Sequence, residues 1–147
     1  MKKSLVVVAL VLMMVLAACG GSNTAGGVPA DAALKITGSV NSEIGWSEKD
    51  VRAMTTAQAD FTNKDGVTNT YTGILLNDLL GKAGVKSDAT TITFVADDGF
   101  TSDVDLAEVK ACTDCIVGFR DEGGFLMVMP GFSNKAQVKG VIEIQVK

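Results

Sequence analysis

Apolar and polar residues alternate along this chain in short runs, and the runs read mostly as strands. LKITGSV at residues 34–40 has period two, the pattern of a half-buried strand. Ser47 stands three residues before Asp50, a loose form of the helix-opening capping pattern, which predicts a short helix to about residue 54. Residues 57–63 and 67–71 are candidate strands around Lys64-Asp65-Gly66, where Asp-Gly favours a tight hairpin. Ile74, Leu75, Leu79 and Leu80 then recur at helical spacing, and Gly84 is placed to close that helix. TTITFVA at 90–96 is rich in β-branched residues and reads as a core strand. After a turn at Asp97-Asp98-Gly99, residues 100–104 extend again, and DLAEVK at 105–110 allows little more than one helical turn. Residues 116–120 and 125–129 pair as a hairpin, PGFSNKAQ is a loop, and VKGVIEIQV at 138–146 is a mostly alternating strand. Many short β-strands with two or three short helices predict an α+β fold.

The first twenty residues do not belong to that pattern. Lys2 and Lys3 precede an uninterrupted apolar run of twelve residues, 5–16, shorter than the ~20 needed to span a bilayer. Basic flank and short apolar run are those of an export signal. The run closes Leu16-Ala17-Ala18-Cys19, which resembles the lipobox of bacterial lipoproteins and implies cleavage before Cys19 and a diacylglyceryl thioether on it. The expected organisation is a signal peptide at 1–18, a lipidated Cys19 and flexible Gly-rich tether at 19–30, and one domain at 31–147. Its expected place is the cell envelope, anchored to a bacterial membrane and facing outward, periplasmic or extracellular. Losing residues 1–18 removes two lysines and no acidic residue, which takes the formal net charge from −4 to −6. Such a protein has no general attraction for nucleic acid, so no nucleic-acid partner is expected.

The ordered motifs resemble one known family. Tyr71-Thr72-Gly73-Ile74-Leu75-Leu76-Asn77-Asp78-Leu79-Leu80 followed by Ala83-Gly84 is similar to the aromatic-x-Gly helix of the sulfite-oxidase-type molybdopterin-binding domain. ADDGF at 96–100, LMVMPG at 126–131 and VKGVIEIQV at 138–146 resemble its later segments, and LKITGSV with Trp46-Ser47 its opening strand. The resemblance covers about residues 34–146 and implies that family's fold, with molybdopterin as the cofactor it suggests. In catalytic members a cysteine thiolate between the opening strand and the aromatic-x-Gly helix bonds molybdenum, a soft donor for which Thr, Gln or Asp cannot substitute. Residues 54–70 contain no cysteine, the chain has no histidine, and Leu126 stands where the family has an arginine. Lys139 matches the family's lysine, and Arg52 and Arg120 are the only arginines, so these three are the candidate ligand contacts. The expectation is a non-catalytic relative without cofactor or metal, binding a small ligand or a protein partner. The alternative readings are a molybdopterin-dependent oxidoreductase or its accessory subunit, and a thiol-redox protein using Cys112 and Cys115.

With Cys19 assigned to lipid, Cys112 and Cys115 remain, in a compartment where disulfides persist. Two cysteines are too few for a structural zinc site within one chain. Redox pairs of the thioredoxin type open a helix, whereas here the helix-like segment precedes the pair and Asp114 lies inside it, which disfavours a thiolate. A disulfide staple of the turn before Ile116 is the favoured reading. Asp97, Asp98, Asp103, Asp105 and Glu108 lack the order of a calcium loop and read as a solvated face. Histidine-dependent nucleophilic triads are excluded by composition. Met127 and Met129 are expected in the core, and Trp46 and Tyr71 are candidates for the core or for a groove wall.

Overall fold

The computed structural model describes residues 28–147; the signal segment, Cys19 and the tether up to residue 27 lie outside the described residues. Two sheets share one core. The first holds five strands in the order β2-β1-β9-β5-β6: β1 (Leu34–Gly38), β2 (Ile44–Trp46), β5 (Thr91–Ala96), β6 (Thr101–Asp105) and β9 (Val141–Val146). Only β1 and β9 run parallel, with Ile36 opposite Ile144; all other pairs in either sheet are antiparallel. The second sheet holds four strands in the order β3-β4-β7-β8: β3 (Ala57–Thr62), β4 (Thr68–Leu75), β7 (Ile116–Phe119) and β8 (Phe125–Val128). Helices α1 (Glu48–Arg52), α2 (Leu76–Ala83) and α3 (Leu106–Ala111) and a 3₁₀ turn at Asn134–Ala136 complete the domain. This is the expected fold class, mostly short strands with three short helices.

Alternation along β8 shows how the sheet serves two faces. Phe125 and Met127 point into the main core with Leu34, Ile36, Phe94 and Ile144, and Met129 just beyond the strand joins them. Leu126 and Val128 point the other way, into a small cluster with Ala59 and Ile116 that Phe61, Tyr71 and Leu75 partly cover. That second face floors the site described below. Trp46 packs against the main core.

The sequence pattern and the structure differ at three places. β4 runs on to Leu75, where helical spacing predicted a helix from Ile74. Gly73, Ile74 and Leu75 pair with Gly118, Val117 and Ile116 of β7, and this ladder outweighs the local helical preference. A β-carbon on Gly73 would lie 2.1 Å from the Val117 carbonyl oxygen, so the close approach of the two strands needs glycine. α2 accordingly starts at Leu76, whose N–H donates to the Cys115 carbonyl at 2.9 Å, and it ends on Gly84 in the left-handed conformation (φ 68°) as the pattern predicts. β2 carries no period of its own and forms by pairing with β1. β9 starts at Val141 instead of residue 138, because residues 137–139 are engaged with β8.

Candidate functional site

Three segments far apart in sequence converge on an open cleft of about 640 Å³ bordered by Arg52, Arg120 and Lys139. Each is placed by local structure. Ser47 caps α1 by accepting the Asp50 N–H at 3.2 Å, and the short helix ends with Arg52 beside the second sheet. Arg52 donates from Nε to Glu48 Oε1 at 2.8 Å and from Nη2 to the Arg120 carbonyl at 3.0 Å. Its guanidinium lies 4.9 Å from the centre of the Phe119 ring, a cation–π distance. Glu48 Oε1 also accepts the Gly124 N–H at 3.2 Å, so the Glu48–Arg52 pair holds both ends of the β7–β8 turn. The Arg52 guanidinium and then the Gly124 amide hold the Glu48 carboxyl below its usual range.

Arg120, at the end of β7, is bound by Glu122 through Nε at 3.1 Å and through a shorter contact from Nη2. Glu122's own backbone amide and then this guanidinium hold its carboxyl below the usual range. Lys139 is set by a different device. Gln137 brackets Met129, accepting its N–H at 2.8 Å and donating to its carbonyl at 2.7 Å. The Met127 N–H donates to the Val138 carbonyl at 2.7 Å, and Leu126 bridges to Lys139. Residues 137–139 therefore lie along the edge of β8 and present Lys139 beside Leu126, which borders the cleft where the family resemblance places an arginine.

A smaller and more enclosed hollow of about 220 Å³ adjoins the cleft, sharing Asn69, Tyr71, Leu126 and Lys139 with it. Phe61 and Val128 add apolar wall. Of these residues, sequence reasoning named Tyr71 as a groove candidate and missed Phe61, Asn69, Phe119 and the clamp residue Glu48. For Phe61 and Asn69 the available signal was the period-two alternation of the β3–β4 hairpin, which puts them on one side with Tyr71.

Charge in the cleft is nearly balanced. Arg52, Arg120 and Lys139 line it with Asp121 and Glu122, and Glu48 behind the lining pairs with Arg52. Among the described residues, Lys139 alone of the three cations has no carboxylate within 4.0 Å. A molybdenum–pterin group does not fit these residues. Among the described residues no thiolate borders the cleft, and the hairpin of β3 and β4 offers it only hydroxyl, amide and aromatic groups, which are poor donors for a soft metal. A phosphate dianion would meet one unpaired lysine against lining carboxylates.

Cys112 and Cys115 lie elsewhere. They are joined to each other with S–S 1.95 Å and Cα–Cα 5.6 Å. Cys112 ends α3, and Cys115, 1% exposed, precedes β7. Asn77 of α2 donates to the Cys112 carbonyl at 2.9 Å, and more weakly to those of Val109 and Lys110, closing the C-terminus of α3. Cys112 borders an acidic groove with Asp103, Asp105, Glu108 and Asp114, and that groove shares no lining residue with the cation-bordered cleft. Although the cysteine sulfurs and an Asp114 oxygen lie within 4.8 Å of one another, both sulfurs are spent on the disulfide.

The family described as "oxidoreductase molybdopterin binding domain" matches residues 25–146. Among solved structures, the chain is similar to the sulfane dehydrogenase SoxCD from Paracoccus pantotrophus, with a TM-score of 0.65 at 16% identity. The similarity covers 77% of this chain and 37% of that one, so this chain spans little more than a third of the other's length. No curated protein matches.

Proposed function

Because this chain belongs to the oxidoreductase molybdopterin binding domain family, we propose that it is a non-catalytic member of it, one that keeps the scaffold and uses the Arg52–Arg120–Lys139 cleft to bind a small anionic ligand. The observation that carries this reading is the donor set: three cations from separate segments border the cleft, and among the described residues no thiolate does. A soft metal is gripped by soft ligands, whereas cationic side chains beside polar groups serve an anion. In this reading the lipid on Cys19 holds the domain at the outward face of a bacterial membrane, with the Gly-rich tether giving it reach. The disulfide acts as a staple. Its position after the negative end of α3, with Asp114 between the cysteines and Asp105 and Glu108 around the groove, supports that over thiol chemistry.

Elemental analysis and pterin fluorescence after denaturation test the reading on protein purified from its own membrane. Neither molybdenum nor pterin is expected to co-purify. Stoichiometric recovery of either would overturn it and return the chain to the oxidoreductases.

A further inference from the structure

We propose, on the basis of that cleft reading, that the ligand is a small amphipathic monoanion: a carboxylate head on a short apolar or aromatic body. The head rests on Lys139 and the body fills the adjoining hollow. Charge fixes the head. Arg52 is bound by Glu48 and Arg120 by Glu122, which leaves Lys139 as the cleft cation without a carboxylate partner among the described residues. One unpaired cation neutralises one negative charge. A second charge on the ligand would find no other cation free of a carboxylate and would meet Asp121, with Glu122 already bound to Arg120.

The hollow fixes the body. Phe61, Tyr71, Leu126 and Val128 make its walls, with Leu126 and Val128 buried in the second cluster and Phe61 and Tyr71 half-buried over it. At about 220 Å³ it equals roughly seven water molecules at ~30 Å³ each, room for one ring or a short alkyl chain. Lys139 borders both the hollow and the open cleft, and its backbone is pinned to β8 through Val138 and Leu126. A purely polar anion would leave the apolar wall wet, and a neutral apolar molecule would leave the ammonium without a partner. A ligand with both parts uses both surfaces.

Equilibrium dialysis of radiolabelled benzoate against the full chain in lipid nanodiscs, with empty nanodiscs subtracted, tests this. Acetate supplies the head alone, benzyl alcohol the body alone, and inorganic phosphate a more highly charged anion. Benzoate is expected to bind one per chain, and the other three about tenfold or more weakly. Lys139→Gln and Phe61→Ser should each weaken benzoate about tenfold, and Lys139→Arg should restore most of it; far-UV circular dichroism checks that each variant is folded. If acetate or phosphate binds as well as benzoate and remains dependent on Lys139, the amphipathic assignment fails while the anion-cleft reading stands. Equal binding of benzyl alcohol overturns the role given to Lys139. Benzoate binding indifferent to Lys139→Gln overturns the amphipathic assignment, and no binding by any anion overturns both.

Discussion

Glu48 and Arg52 lie one turn apart on α1, and together they grip the β7–β8 turn at the Arg120 carbonyl and the Gly124 amide. That turn carries Gly123 and Gly124 at φ 95° and 75°, a left-handed conformation other residues adopt only with strain. Glu48→Gln keeps a weaker acceptor and loses the charge. The pair is more than a third exposed, so solvent screening limits the expected loss to about 1 kcal/mol or less at pH 7, read from urea unfolding. The pH dependence has a definite sign. A carboxylate whose folded pKa is depressed adds stability that is complete above its unfolded pKa and fades as pH falls through the folded one. The difference between parent and Glu48→Gln should therefore be largest near neutrality and shrink in acid. A gap that widened on acidification would contradict the assigned role.

At the level of elements, β4 and β7 depend on each other at Gly73. Gly73→Ala places a methyl 2.1 Å from the Val117 carbonyl oxygen, and a loss of about 2 kcal/mol or more is expected from chemical denaturation. The disulfide is a local device by comparison. In the chain-entropy model, closing so short a loop contributes about 2 kcal/mol, and the paired substitution Cys112→Ser with Cys115→Ser should cost that much. Benzoate affinity should not change in the paired variant, since the acidic groove and the cleft have no lining residue in common. Elements whose cause is local were legible in sequence: the Ser47 cap, the Gly84 stop, the Asp-Gly hairpin and the β-branched run of β5. Elements whose cause is a distant partner were not. Ile74 and Leu75 carry helical spacing and sit in a strand because β7 arrives beside them. The candidate site divides in the same way. Arg52, Arg120 and Lys139 could be named from composition and resemblance, but their convergence depends on the β7–β8 turn and on Gln137 holding the segment before β9. Phe61 gave no individual signal, because a half-buried aromatic on a hairpin reads the same whether it walls a hollow or a core.

At the scale of the whole molecule, the proposed lipid anchor makes one claim that needs no ligand. Cys19→Ala should shift the protein out of the detergent-extracted lipoprotein fraction, and the mass of the parent's N-terminal peptide should carry the added acyl groups. A parent peptide with an unmodified Cys19 would remove the anchor from the proposal. The strand order of the larger sheet has a further effect. β9 lies between β1 and β5, so Val141–Val146 joins a ladder begun more than a hundred residues earlier: Thr37 donates to Glu143 at a separation of 106 positions. Until those six residues arrive, the β1–β2 and β5–β6 hairpins have no common neighbour to bind them. Contacts closed across so long a loop form slowly. A nascent polypeptide stalled on the ribosome before Val141 should therefore stay open to protease, and release of the last strand should bring resistance in one step.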